Sequence, residues 1–130
     1  MDSSSVPWFV LAICYGAGAL LIALGVPLLR GRVAPNWTYG VRFASTMADE
    51  RVWYPINARG GRDIIIIGIL YIVVQTLALV FGDRWTVEVK VLGPLALLVI
   101  ALIIDAIVLG VAAGRLHATL RGHKHPGAPS

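Results

Sequence analysis

The chain has 130 residues, of which 58% are hydrophobic and only 14% charged, with a mean hydropathy of +0.80 and a net charge of +4. A water-soluble domain is about 45–50% apolar and about 25% charged, so this composition argues against a soluble enzyme and for one domain dissolved in lipid. The basic residues lie beside apolar runs and form no nucleic-acid-binding motif, which reads as membrane anchoring and excludes nucleic acid as a partner.

The first apolar run covers residues 7–29, Pro7 to Leu29, and carries no charge. It is long enough to cross a hydrocarbon core of about 30 Å. A signal peptide fits badly, because the preceding MDSSS has no Lys or Arg and the run is too long for an h-region. A retained helix is predicted. Ala12 with Gly16, and Ala19 with Ala23, are small-residue pairs of the kind that let helices approach in lipid. Pro27 should end or bend the helix. Cys14, the single cysteine, can make no internal disulfide and reads as a small core residue.

Residues 30–63 form the only long polar segment, with six of the eleven Lys and Arg when Arg30 and Arg62 at its borders are counted. Pro35-Asn36 and Tyr39-Gly40 are turn signals, so residues 32–44 should be irregular but compact. Trp37, Tyr39 and Phe43 are too apolar for a spacer and suit the headgroup level or the helix ends. Thr46 to Asp49 has the form of a capping box, and Asp49 and Glu50 suit the positive end of a helix. Val52, Trp53, Ile56 and Asn57 would share one helical face. Pro55 is expected to kink that helix or confine it to a short interfacial piece. Gly60-Gly61 is expected to turn the chain into the next span.

The second apolar run is residues 64–81, about the minimum for a span. Tyr71 and Gln75 lie one helical turn apart on one face, suited to interhelical hydrogen bonds or to a ligand path. A linker with Trp85 leads to the third run, residues 91–111, where Pro94 sits in the first turn. Ala106, Gly110 and Gly114 form a small-residue stripe. Asp105 is the one carboxylate inside an apolar run. It should face the bundle or a water-filled crevice, or be protonated. It serves either as a structural partner to an Arg, Tyr15, Tyr71 or Gln75, or as a proton-relay or ligand site. The tail, residues 115–130, holds Arg115, Arg121, Lys124, His117, His123 and His125. The histidine spacing matches no standard metal site and the ending looks mobile. No metal or cofactor is expected.

Lys and Arg counting gives the orientation. The loop with its borders has six and the tail three, against two in the linker, Arg84 and Lys90, and none before the first span. Three spans put loop and tail on one side, predicted to be cytoplasmic, with the N-terminus outside.

The loop also carries a specific pattern. Gly31, Val33, Pro35, Asn36, Tyr39, Gly40 and Arg42 are followed by Thr46, Asp49, Glu50, Trp53, Asn57 and Gly61. In order and spacing this resembles the signature of the SdpI family of small bacterial integral membrane proteins. Phe43-Ala44 stands where Thr-Pro is common, and Pro55 is atypical. The three apolar runs predict an all-α fold, with three transmembrane helices and a structured cytoplasmic loop between the first and second, and the flanking spans fit the family's layout. The resemblance implies the bacterial plasma membrane. The family's namesake protects a producing bacterium from a secreted peptide toxin and recruits a repressor to the membrane. Immunity to a membrane-active peptide toxin, or to envelope stress, is therefore the leading expectation, without enzymatic activity.

The expected partners are membrane lipids, a peptide toxin, and a membrane-protein partner or second copy. Pro35, Asn36, Tyr39, Gly40, Arg42, Trp53 and Asn57 are the candidate binding residues. Asp105, Gln75 and Tyr71 are the polar groups within the spans. Each loop arginine is worth about 1 kcal/mol near an anionic surface. Two other readings remain open: an accessory subunit of a larger complex, and a small oligomeric proton-linked transporter using Asp105. The loop lacks a nucleophile–base arrangement.

Overall fold

A computed structural model describes residues 6–123, and all regular structure in them is helical. The elements are α1 (Trp8–Leu29), α2 (Ala44–Met47), α3 (Glu50–Phe81) and α4 (Val87–Gly122). Helices α1, α3 and α4 are each long and apolar enough to cross a membrane. The chain is a multi-pass membrane protein of three spans.

Helix α3 is the centre, with α1 and α4 both packed along it. The α1–α3 seam is made by glycines. A methyl group at Gly25 would stand 2.5 Å from the Gly61 carbonyl oxygen, and one at Gly68 would stand 2.9 Å from the Gly18 carbonyl oxygen. The two pairs run antiparallel at seven-residue spacing in both helices, the repeat that keeps a seam on one face as helices coil. Backbone-to-backbone approach supplies the dispersion contact that hydrophobicity cannot supply inside lipid. The small-residue pairs expected to do this do not. Ala12, Gly16, Ala19 and Ala23 are exposed, and nothing lies within 4 Å of a methyl placed at Gly16.

Two helix boundaries differ from expectation. Gly60-Gly61 makes no turn, and Pro55 does not stop the helix: α3 continues through both. Pro55 lies near the N-terminal end of α3, where α2 and α4 pack around the helix and hold it. Gly61 is helical because the α1 backbone occupies the space a side chain would need. The tail is likewise helical to Gly122, so His117 and His123 lie on or beside α4. Lys124 and His125 fall outside the described residues.

The prolonged helix ends have their own core. Val52 and Ile56 of α3 bury against Leu109 and Ala113 of α4, flanked by Val41, Phe43, Leu116 and Leu120. The expected face of Val52, Trp53, Ile56 and Asn57 is the buried one. These residues precede the apolar run of α3, so water drives this contact, at about 1.5–3 kcal/mol per large apolar side chain buried.

Candidate functional site

The loop begins where α1 is closed. Gly31, at φ +63°, accepts the left-handed turn, with Gly31 N–H on the Leu28 carbonyl and Arg32 N–H on the Pro27 carbonyl, both at 3.0 Å. This is a Schellman closure. The Asn36 side-chain oxygen then accepts from the backbone N–H groups of Thr38 (2.9 Å) and Tyr39 (2.7 Å) and from the Thr38 hydroxyl (3.0 Å). Its amide donates to the Ala34 carbonyl at 2.8 Å. Asn36, next to half-buried Pro35, therefore folds the turn on itself.

The turn is fastened at four points. The Trp53 indole N–H donates to the Val33 carbonyl at 2.8 Å, and the Val41 N–H donates to Asn57 Oδ1 at 2.6 Å. Asn57 Nδ2 donates to the Trp53 carbonyl at 3.0 Å, locking the side chain to its own helix. The Tyr39 hydroxyl donates to the Leu24 carbonyl of α1, beside the Ala23 carbonyl that Pro27 leaves without its helical donor. Burial pushes the Tyr39 phenol above its ordinary pKa. The Arg42 guanidinium donates to the Trp37 carbonyl. Gly40, at φ +116°, is required here: a methyl would also stand 2.5 Å from Asn57 Oδ1 and 3.2 Å from the Trp53 ring.

Thr46 is a hub that sequence reasoning placed differently. Its hydroxyl accepts the Phe43 N–H at 2.8 Å and faces the Val41 and Phe43 carbonyls at 2.8 Å. Thr46 thus lies inside α2, one half of a capping box with Phe43 leading. Asp49 is the N-cap of α3, accepting the Arg51 N–H at 2.9 Å and pairing with the Arg51 side chain at 2.7 Å. The Asp49 carboxylate raises the Arg51 pKa further.

The seven candidate binding residues thus form one clasp, but they do not form one binding surface. Trp53 and Asn57 are buried, at 0% and 2% exposure. They cannot be direct contacts and instead hold the loop. Arg42 is exposed and makes no ion pair among the described residues.

Beneath the clasp lies a cleft of about 340 Å³, of the size that takes a small ligand. Its walls are α1 (Leu24, Leu28) and α4 (Leu102, Asp105, Ala106), with α3 behind at Gly60 and Ile64. The loop residues 39–43 roof it, so Arg42 and Asp105 share one cavity.

Of the partners expected from sequence, Tyr15, Tyr71 and Gln75 do not act on Asp105, and arginines act on it only through their field, without an ion pair among the described residues. The Asp105 carboxyl lies beside Asp63 of α3, within the field of Arg59 and Arg62. Asp63 is itself paired with Arg62 (2.7 Å) and Arg59 (3.7 Å). Asp105 is therefore level with the charged residues that precede the apolar run of α3. Residues 63–81 and 87–105 are nineteen each, about 28 Å of helix, one hydrocarbon thickness. The three polar groups predicted within the spans do not meet. Tyr71 and Gln75 lie about 12 and 18 Å along α3 from Asp63. The buried Gln75 amide donates to the Lys90 carbonyl at 3.1 Å, and the Tyr71 hydroxyl is buried beside Cys14. The signal for the Asp63–Asp105 contact was the Arg59–Asp63 spacing of one helical turn, which marks where α3 leaves the charged layer.

With this geometry in place, the comparisons bear on the same segments. The family model described as the SdpI/YfhL protein family matches residues 32–112, which take in the clasp, all of α3 and the cleft-lining part of α4. No curated protein and no solved structure matches the chain.

Proposed function

The chain belongs to the SdpI/YfhL protein family, and from that premise we propose that it is a non-enzymatic immunity protein. It protects the bacterial plasma membrane that holds it against a membrane-active peptide toxin, and it acts through the loop and the cleft below. The loop face is cytoplasmic and the N-terminus outside, on the distribution of Lys and Arg.

The observation that carries this reading is Arg42. Asn36, Tyr39, Trp53 and Asn57 are engaged in building the loop, whereas Arg42 is anchored by one carbonyl and lines the cleft with no carboxylate partner among the described residues. A positioned, unneutralised guanidinium at a cavity mouth is a recognition group. A carrier built on Asp105 has less support, because carriers hold their ions near the bilayer midplane and Asp105 stands beside Asp63, Arg59 and Arg62.

The test is survival of a sensitive Gram-positive host challenged with a purified membrane-active peptide toxin. Cells express the parent, Arg42→Ala or Arg32→Ala at equal membrane levels. Protection by the parent and by Arg32→Ala, with loss in Arg42→Ala, is the expected result. No protection by the parent overturns the proposal.

A further inference from the structure

We infer that the cleft under the loop is a site for one phospholipid with a primary-amine headgroup. The phosphate meets Arg42, the ammonium meets Asp105, and an acyl chain lies between α1 and α4. The inference shares its site with the immunity reading, but its test involves no toxin.

Three features carry it. The first is shape. At the loop end α1 and α4 form opposite walls, and the cleft between them is lined by Leu24, Leu28, Leu102 and Ala106. Apolar side walls at the rim of a membrane span suit an acyl chain better than a water-soluble ligand.

The second is level. Asp105 stands beside Asp63, where the apolar run of α3 begins. Tyr39, next along the roof from Gly40, bonds to Leu24 in the last two turns of α1. The polar part of the cleft therefore lies at headgroup height, and its apolar part extends toward the bilayer.

The third is charge. The roof offers a guanidinium and the α4 wall a carboxyl, and neither is in an ion pair among the described residues. The two do not answer each other, since the charges acting on Asp105 are Asp63, Arg59 and Arg62. Asp63 has its own arginines, and the Asp105 carboxyl, hydrogen-bonded beside it, also lines the cavity. A phosphate linked to a primary amine satisfies both ends with charge-assisted hydrogen bonds. A phosphate with an uncharged head brings no cation to the Asp105 carboxyl, and a quaternary amine cannot donate to it.

The experiment is native mass spectrometry of the full chain. The protein is taken from vesicles of equal parts phosphatidylethanolamine, phosphatidylglycerol and phosphatidylcholine, and the retained lipid is identified. The parent is expected to keep a single phosphatidylethanolamine, enriched roughly tenfold, the factor that corresponds to 1.4 kcal/mol. Arg42→Gln should lower retention of all phospholipids. Asp105→Asn should keep retention but lose the preference for the primary amine. Ala106→Phe fills the cleft from an exposed face of α4, and should expel the lipid while the thermal midpoint stays near that of the parent. Free phosphoethanolamine at millimolar concentration should not displace the lipid. Retention in the proportions offered, no retention above detergent, or displacement by the free headgroup would each overturn the assignment. Lipid retention without toxin protection would refute the immunity reading and leave this one standing.

Discussion

Asn57 shows how the motif works at the scale of one side chain. Its oxygen accepts Val41 N–H and its amide grips the Trp53 carbonyl one turn back. Asn57→Ala leaves the part-buried Val41 N–H without its acceptor, a cost of about 1 kcal/mol or more. The expected outcome is faster proteolytic cleavage within residues 32–43, with the spans still helical by circular dichroism. An unchanged cleavage rate would contradict the clasp. Gly40→Ala should behave alike, since it adds both strain and a clash with Asn57. The sequence marked these residues as a set but assigned them to a partner. Spacing alone cannot tell an outward-facing Asn or Trp from one turned into the loop, because both patterns are compatible with one helical face. Arg42, assigned to a partner in the same way, is exposed and makes no ion pair among the described residues.

Among the helices, the α1–α3 seam depends on which small residues have a backbone opposite them. Gly61→Leu has no room, because a methyl there already stands 2.5 Å from the Leu29 nitrogen and 2.6 Å from the Gly25 carbonyl. It should part α1 from α3 and lower the thermal midpoint in mild detergent by several degrees. Gly16→Leu, with open space around it, should leave the midpoint within a degree or two, in line with ordinary surface changes. Equal effects would show that the seam lies elsewhere. The three spans were legible because lipid demands long uncharged runs. The seam was not, since Ala12, Gly16, Gly18 and Gly25 are equally small on paper. The true pairs sit seven apart, and the expected ones sat four apart. The uninterrupted start of α3 was hidden for a related reason. Pro55 and Gly60-Gly61 read locally as breakers, and only the packing of α1, α2 and α4 around them holds the helix.

Taken whole, the molecule is taller on one side of the bilayer than on the other. Glu50–Arg62 of α3 and Ala106–Gly122 of α4 continue about 20 and 25 Å past the level of Asp63 and Asp105, while α1 stops at Leu29. The side on which they stand is testable. Cys14, the one native cysteine, is buried, so a cysteine introduced at Thr38 or Asp83 reports alone. A membrane-impermeant maleimide on intact cells should label Asp83→Cys, and should reach Thr38→Cys only after permeabilisation. The reverse pattern would invert the proposed topology. Asp105 was visible in the sequence as an anomaly, but its neighbours were not. The offset between α3 and α4 is a tertiary fact: it moves a carboxylate from within an apolar run to the charged layer beside Asp63.

The bonds that tie the loop to α3 span short stretches of chain, sixteen residues from Val41 to Asn57 and twenty from Val33 to Trp53. Loops of that size close within microseconds, whereas a bacterial chain lengthens by about 5–20 residues per second. The clasp can therefore close during synthesis, before α4 has been made. The newborn chain would present α1, the fastened loop and the start of α3 as one preassembled unit. The last helix then docks as a lid, completing both the Val52–Leu109 core and the wall that carries Asp105. A chain stalled after α3 should already protect residues 32–43 from protease, while its cleft lacks one side and holds no lipid.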